Sequence, residues 1–224
     1  MKRLFAGLFL MLMLASPGAH IGMDAPTWNR EISRLVYDRC ASCHREDGAA
    51  FSLMSYPDAQ PHAAAIKDAV LSRRMPPWGA VKGFGDFQND LALAQHQIDL
   101  VSEWVEGGAP RGNNPGVLPD PPQFDTLQPE PERTGRRLAT RGSLTLDRPI
   151  VLDGLLPDSV PEGASMQIVA VLPDGRVEPL LWLYQYQSRH RHPFLLRRPL
   201  SLPAGTVIRG VTPPASIQLL EADR

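Results

Sequence analysis

The sequence predicts a two-domain α + β chain, an all-α N-terminal domain followed by a C-terminal antiparallel β-sandwich. Three observations carry this expectation. Apolar residues recur at helical spacing between Trp28 and Val105, a proline-dense stretch interrupts the pattern, and Val, Ile, Leu and Tyr then gather in short runs bounded by turn residues. With 224 residues and 43% hydrophobic content, the chain can build real cores, which excludes a disordered protein. We divide it into a signal peptide (1–22), a helical domain (24–110), a linker (111–135) and a sandwich (136–222).

The N-terminus reads "MKRLFAGLFLMLMLASPGAH". Lys2 and Arg3 precede an apolar run from Leu4 to Ala15, and small residues with a proline follow, which is the order of a secretory signal. The run is shorter than the ~20 residues a membrane-spanning helix needs, and no second run of that kind follows. The expectation is a periplasmic or otherwise extracytoplasmic protein, cleaved between His20 and Asp24, with no stable membrane span afterwards.

The first helix is expected in "TWNREISRLVYDRC", with Thr27 as its N-cap and a stripe at Trp28, Ile32, Leu35 and Val36. It delivers Cys40 at its C-terminal end, where "CASCH" holds both cysteines of the chain. Export favours structural disulfides, but a bond between Cys40 and Cys43 closes too small a loop to staple anything. Zinc needs about four ligands, usually from a second pair, and no second pair exists. A thiol redox centre belongs at a strand-to-helix junction, whereas the preceding residues read as helix. The C-x-x-C-H run is the attachment signal for c-type haem: each thiol forms a thioether with a vinyl group, and the next residue supplies an axial imidazole. Cys40 and Cys43 are therefore expected to carry one covalent haem c, with His44 on its iron.

A second helix is expected in "PDAQPHAAAIKDAVLSRR", where Ala63, Ile66 and Val70 share a face and the prolines stay in the first turns. Met75 follows it in "RRMPPWGA", 31 residues after His44, and two prolines stiffen the chain behind its thioether. Met75 is the expected sixth ligand, against the alternative that it fills a core. Met54 competes, but it lies only 10 residues past His44, with little chain to reach the opposite haem face. His62 and His96 are weaker candidates in helix-like, solvent-facing stretches. A third helix, in "NDLALAQHQIDLVSEWVEGG", places Leu91, Ala94, Ile98, Val101, Trp104 and Val105 on one face and ends at Gly107 and Gly108.

Residues 26–112 resemble the mono-haem class I cytochrome c domains of bacterial secreted proteins with a C-x-x-C-H, F-S-L, R-x-M-P-P-W and W-V-x-x-G-A-P pattern. The matching residues are Cys40, Cys43 and His44, then Phe51-Ser52-Leu53, Arg73 to Trp78, Trp104-Val105 and Gly108-Ala109-Pro110. The resemblance implies that Cys40 and Cys43 carry haem, that His44 is the proximal ligand and that Met75 is the distal one. The final helix departs from the pattern in lacking a Ser or Thr start, so its capping falls to Asn89 or Asp90.

From Gly107 to Pro131 the chain carries seven prolines and almost no apolar periodicity, the composition of a semi-rigid surface linker. Beyond it, "SLTLDRPIVL", "SMQIVAVL", "RVEPLLWLYQY" and "TVIRGV" read as strands, with Pro173-Asp174-Gly175 as a tight turn, in a sandwich of about six or seven strands. The later part of this region faintly resembles the closing strands of the C-terminal β-domain of copper, ascorbate-dependent monooxygenases. Histidines are missing where copper ligands would fall, so catalysis does not carry over. His190 and His192 are a separate candidate, because i and i+2 share one face of a strand. Arg189, Arg191, Arg197 and Arg198 around them disfavour a cation and suit a basic docking face or a solvated strand.

Residues 24–110 hold 12 acidic and 8 basic side chains, net −4, and residues 132–224 hold 9 and 12, net +3. Opposite signs bring the halves together or let each meet its own partner. Without a strongly basic stripe, nucleic acid is not an expected partner. The expected function is electron transfer by an exported mono-haem c-type cytochrome working with redox protein partners. The alternative is the electron-transfer subunit or haem domain of a copper-dependent or other periplasmic oxidoreductase.

Overall fold

The computed structural model describes residues 25–88, 90–124 and 135–222; the segment expected to be a signal peptide, Asn89 and residues 125–134 of the expected linker lie outside them. The chain enters through a π-helical turn, Trp28–Ile32, that runs into α1 (Ser33–Arg39). Trp28, Ile32, Leu35 and Val36 are all buried, as their spacing predicts. Thr27 does not cap with its hydroxyl; its backbone N–H instead donates to the Glu31 carboxylate at 2.9 Å.

The expected middle helix is broken into α2 (Tyr56–Ala59), a 3-10 turn (Gln60–His62) and α3 (Ala63–Leu71). Pro61 explains the break, since it has no N–H to continue the helical ladder. Helix α4 spans Gln95–Glu106, and it begins at neither residue expected to cap it. Its N-cap is Ala94, whose N–H donates to Gln97 Oε1 at 2.9 Å, while Asp90 accepts from Ala92 N–H at 2.8 Å in the preceding turn. Gly108 (φ 86°) ends the helix and lets Ala109 N–H reach the Trp104 carbonyl at 2.8 Å. Trp104 is fully buried, 6.3 Å from the Trp28 ring, so the first and last helical elements pack through two indoles.

The described start of the linker lies along the first helical element. Trp28 and Asn29 N–H donate to the Pro110 and Arg111 carbonyls at 3.0 Å, and Asn29 Nδ2 donates to Gly112 and Asn114 carbonyls at 3.2 Å. The C-terminal part is two four-stranded antiparallel sheets built from β1 (Arg137–Thr140), β2 (Leu144–Thr145), β3 (Ile150–Ser159), β4 (Met166–Val171), β5 (Val177–Leu183), β6 (Phe194–Leu202), β7 (Val207–Arg209) and β8 (Ser216–Glu221). Their orders are β1-β8-β3-β6 and β2-β7-β4-β5. Leu152, Leu155, Leu202, Ile217 and Leu219 of one sheet share a core with Ile168, Leu183 and Ile208 of the other, which makes a sandwich. Turn residue Gly175 (φ 86°) joins β4 to β5 where the Pro-Asp-Gly signal predicts it.

Strands β5 and β6 end their respective sheets, and a strap from the helical region covers both edges. On the β5 side, Val81 N–H donates to the Trp182 carbonyl at 2.9 Å and Tyr184 N–H to the Gly79 carbonyl at 3.0 Å. On the β6 side, Gln88 N–H donates to the Leu195 carbonyl and Arg197 N–H to the Asp86 carbonyl, both at 2.8 Å. Trp78, Ala80 and Phe87 of the strap are buried in the sandwich core. The sheet edges, otherwise open to pairing with another chain, are thereby satisfied from within.

Candidate functional site

Helix α1 ends at Cys40, whose N–H still reaches the Val36 carbonyl at 2.9 Å. The Cys40 carbonyl then accepts from both Cys43 N–H (3.1 Å) and His44 N–H (2.9 Å), closing a turn that groups the two thiols and the imidazole. The chain folds back onto this turn, with Ala50 N–H on the Cys43 carbonyl at 3.1 Å and Leu53 N–H on the His44 carbonyl at 3.0 Å. Gly48 makes the return possible, since a Cβ there would stand 2.3 Å from the Cys43 oxygen.

His44 Nδ1 lies 2.9 Å from the Phe51 carbonyl. A carbonyl only accepts, so the proton sits on Nδ1 and the Nε2 lone pair is free for a metal. The Phe51 ring meets the imidazole edge-on at 4.9 Å and further limits its rotation. Arg45 donates to the Ser42 carbonyl and lies over the Phe124 ring at 4.5 Å, so the end of the described linker also braces the turn.

Both thiols are free. Burial pushes the Cys40 thiol up to about 12, with Cys43 and Asp38 adding to the rise and Arg39 opposing it. Reactive dithiols need a lowered thiol pKa, so this environment disfavours a thiol-exchange centre.

Met75 follows α3 after Arg73, which has a left-handed backbone (φ 54°), and its N–H donates to the Ala69 carbonyl at 3.1 Å. It lines a cleft of about 520 Å³ with Val70, Leu93, Ile98 and Trp78, closed from the sandwich side by Trp182 and Tyr184. A second cleft, of about 640 Å³, runs between Ser42 of the cysteine turn and the loop His190 to Pro193. Trp78 lines both; Cys40, Cys43 and His44 line neither. Met54 sits in the turn before α2, its carbonyl accepting from the Tyr37 hydroxyl at 2.9 Å, and it lines neither cleft. His62 and His96 are exposed, and His62 stacks on Phe51 at 4.4 Å.

No protein-family model, curated protein or solved structure matches the chain. The functional reading therefore rests on residues and geometry.

His190 and His192 are not on a strand. They occupy a 3-10 turn (Ser188–His190) and the coil before β6, so the i, i+2 face expected for them does not exist. Backbone donors there serve other partners: Ser188 N–H donates to Glu162 at 2.6 Å, and Pro193 has no N–H to give. His192 Nδ1 lies 2.8 Å from the His190 carbonyl, and its ring stacks on Trp78 at 4.9 Å. Among the described residues no group of three or more His, Cys, Asp or Glu is placed to hold a metal ion. Among them, too, no helix is long and apolar enough to cross a membrane.

The donors on the Cys40 turn nonetheless fit a covalently attached haem, while Met75 lies apart from them on its own cleft. Two thiols share one turn with an imidazole whose Nδ1 is held by a hydrogen bond, leaving Nε2 free, and the Met75 thioether lines a largely apolar cleft. Sequence reasoning missed Gly48, and it met Trp78 only as the last residue of the M-P-P-W run, with no role assigned. The return of the chain onto Cys43 is a close backbone approach, and the shared wall of two clefts depends on residues distant in sequence, neither of which a local motif records.

Proposed function

We propose that this chain is an exported mono-haem c-type cytochrome whose function is electron transfer. The supporting observation is the His44 Nδ1 to Phe51 carbonyl hydrogen bond at 2.9 Å, on the turn that also presents Cys40 and Cys43. Cys40 and Cys43 would hold one haem c covalently, and His44 and Met75 would hold its iron. Haem bound in this way supplies a one-electron couple, with a higher potential than bis-histidine ligation provides. The protein's own residues orient and shield: the Phe51 carbonyl sets the His44 tautomer, and Val70, Leu93 and Ile98 line the methionine cleft. With His44 and Met75 both holding the iron, no position would be left for substrate, which favours a carrier over a catalyst. Its partners are redox proteins of unassigned identity.

The test uses haem-matured protein. Denaturing gels should keep a haem stain that Cys40→Ala with Cys43→Ala abolishes, and Met75→Ala, but not Met54→Ala, should open the site to carbon monoxide. Haem extractable from the parent sinks the covalent assignment, and a parent that binds carbon monoxide without mutation sinks the carrier reading.

A further inference from the structure

We infer that the β-sandwich forms part of the distal haem wall: by clamping the strap Trp78–Gln88 it positions Met75 and so sets whether the methionine is ligated. The inference rests on the haem reading above and deepens it. Only Pro76 and Pro77 separate Met75 from Trp78. Prolines have a fixed φ, so displacement of Trp78 passes to Met75 through few soft torsions. Trp78 is itself 6% exposed, wedged among Phe87, His192 and Phe194 at ring separations of 6.1, 4.9 and 5.2 Å.

The clamp extends along the whole strap. Besides the four backbone hydrogen bonds to the edges of β5 and β6, Gln88 Nε2 donates to the Leu196 carbonyl at 2.8 Å. Arg197 donates to the Phe87 carbonyl at 3.0 Å and pairs with Asp86 at 3.1 Å. Gly85 passes so close to the sheet that a Cβ would stand 2.6 Å from the Leu180 carbonyl. On its other side Met75 is tied to α3 through Ala69, so the thioether hangs between a helix and the sandwich. Trp182 and Tyr184 close the methionine cleft directly. Trp78 is thus a positioning residue, and the sandwich does more than satisfy two sheet edges.

Coupling of this kind is reciprocal: what strap docking adds to methionine ligation, ligation adds to strap docking. The test takes full-length, haem-matured protein and compares Gly85→Val, Trp78→Leu and Trp78→Phe with the parent. Gly85→Val and Trp78→Leu should keep covalent haem, bind carbon monoxide where the parent stays closed to it, and show a lower reduction potential. Trp78→Phe, which keeps an aromatic wedge, should behave as the parent. Because the strap variants can fail to fold, hydrogen exchange on Met75→Ala gives the reciprocal reading. The amides of Val81, Gln88, Tyr184 and Arg197 should exchange faster than in the parent, while Leu172 N–H, bonded to the Arg176 carbonyl at 2.8 Å, stays unchanged. Strap variants that stay closed to carbon monoxide at the parental potential, or strap amides indifferent to Met75, overturn the inference alone. A parent without covalent haem overturns the functional reading beneath it.

Discussion

At the scale of single residues, the cysteine turn is the part of the molecule closest to its sequence. Thioether attachment of haem demands two thiols and an imidazole at fixed short spacing, so the chemistry we propose is written locally in "CASCH". Gly48 is as tightly constrained, yet nothing in the sequence announces it. Gly48→Ala drives a methyl group into the Cys43 carbonyl. The expected outcome is a loss of about 1–3 kcal/mol, as for other overpacked sites, together with less haem incorporation, checked by urea unfolding and by haem content per chain. His190 carries a pH prediction. Burial first, and Arg189 second, hold its imidazole below the usual 6.5. Between its folded and unfolded values the unfolded chain binds more protons, so stability rises with pH through that window and is lost on acidification below about 6.5. His190→Asn should therefore show a smaller fall in urea midpoint between about pH 7 and about pH 5 than the parent. An identical fall in both proteins would remove His190 from the acid response.

At the scale of elements, helical periodicity read the buried faces correctly and the element ends less well. Ile98, Val101 and Trp104 of α4 are buried as their spacing requires, because an amphipathic stripe has only one side to present to a core. Its start moved to Ala94 since Gln97 satisfies a backbone donor there, a choice made by one side-chain hydrogen bond. The histidine pair failed as a strand feature for the same kind of reason. Backbone donors near it go to a carboxylate and a turn rather than to a ladder. Trp104 tests the helical core: fully buried, it packs on Trp28 and donates from Nε1 to the Pro110 carbonyl at 3.1 Å. Trp104→Ala should cost about 3–5 kcal/mol, read as a lower urea midpoint for the transition that reports the haem. A loss below about 1 kcal/mol, typical of surface positions, would mean that the first and last helices do not pack through this side chain.

At the scale of the whole molecule, the proline-rich stretch suggests two halves that could be cut apart, with a chain ending near Pro115 still maturing to a low-spin cytochrome. The packing changes that expectation. Removing the sandwich uncovers Trp78, Ala80 and Phe87, and takes away Trp182 and Tyr184 from the methionine cleft. A chain ending after Phe124 should acquire covalent haem, yet bind carbon monoxide, lose the low-spin spectrum and bind hydrophobic dyes; a parental spectrum would contradict this. Opposite charge on the two halves contributes little to holding them together. Arg197 and Asp86 are both well exposed, and such pairs are worth about 0–1 kcal/mol. The buried strap aromatics should dominate, so added salt should leave the two parts associated.

By itself the sequence determined the fold class, the helical stripes, four strand runs that hold β2, β4, β5, β7 and the start of β3, and the grouping of thiols with an imidazole; β1, β6 and β8 escaped it. Each follows from interactions between residues a few positions apart, which leave a period or a spacing behind. Only the tertiary structure decided that the segment after Met75 belongs to the sandwich edges. Ala80 pairs with Leu183 and Phe87 with Leu196, each across about a hundred residues of chain. Such pairing depends on which unsatisfied edges the finished sheets present, and no local pattern of residues records that.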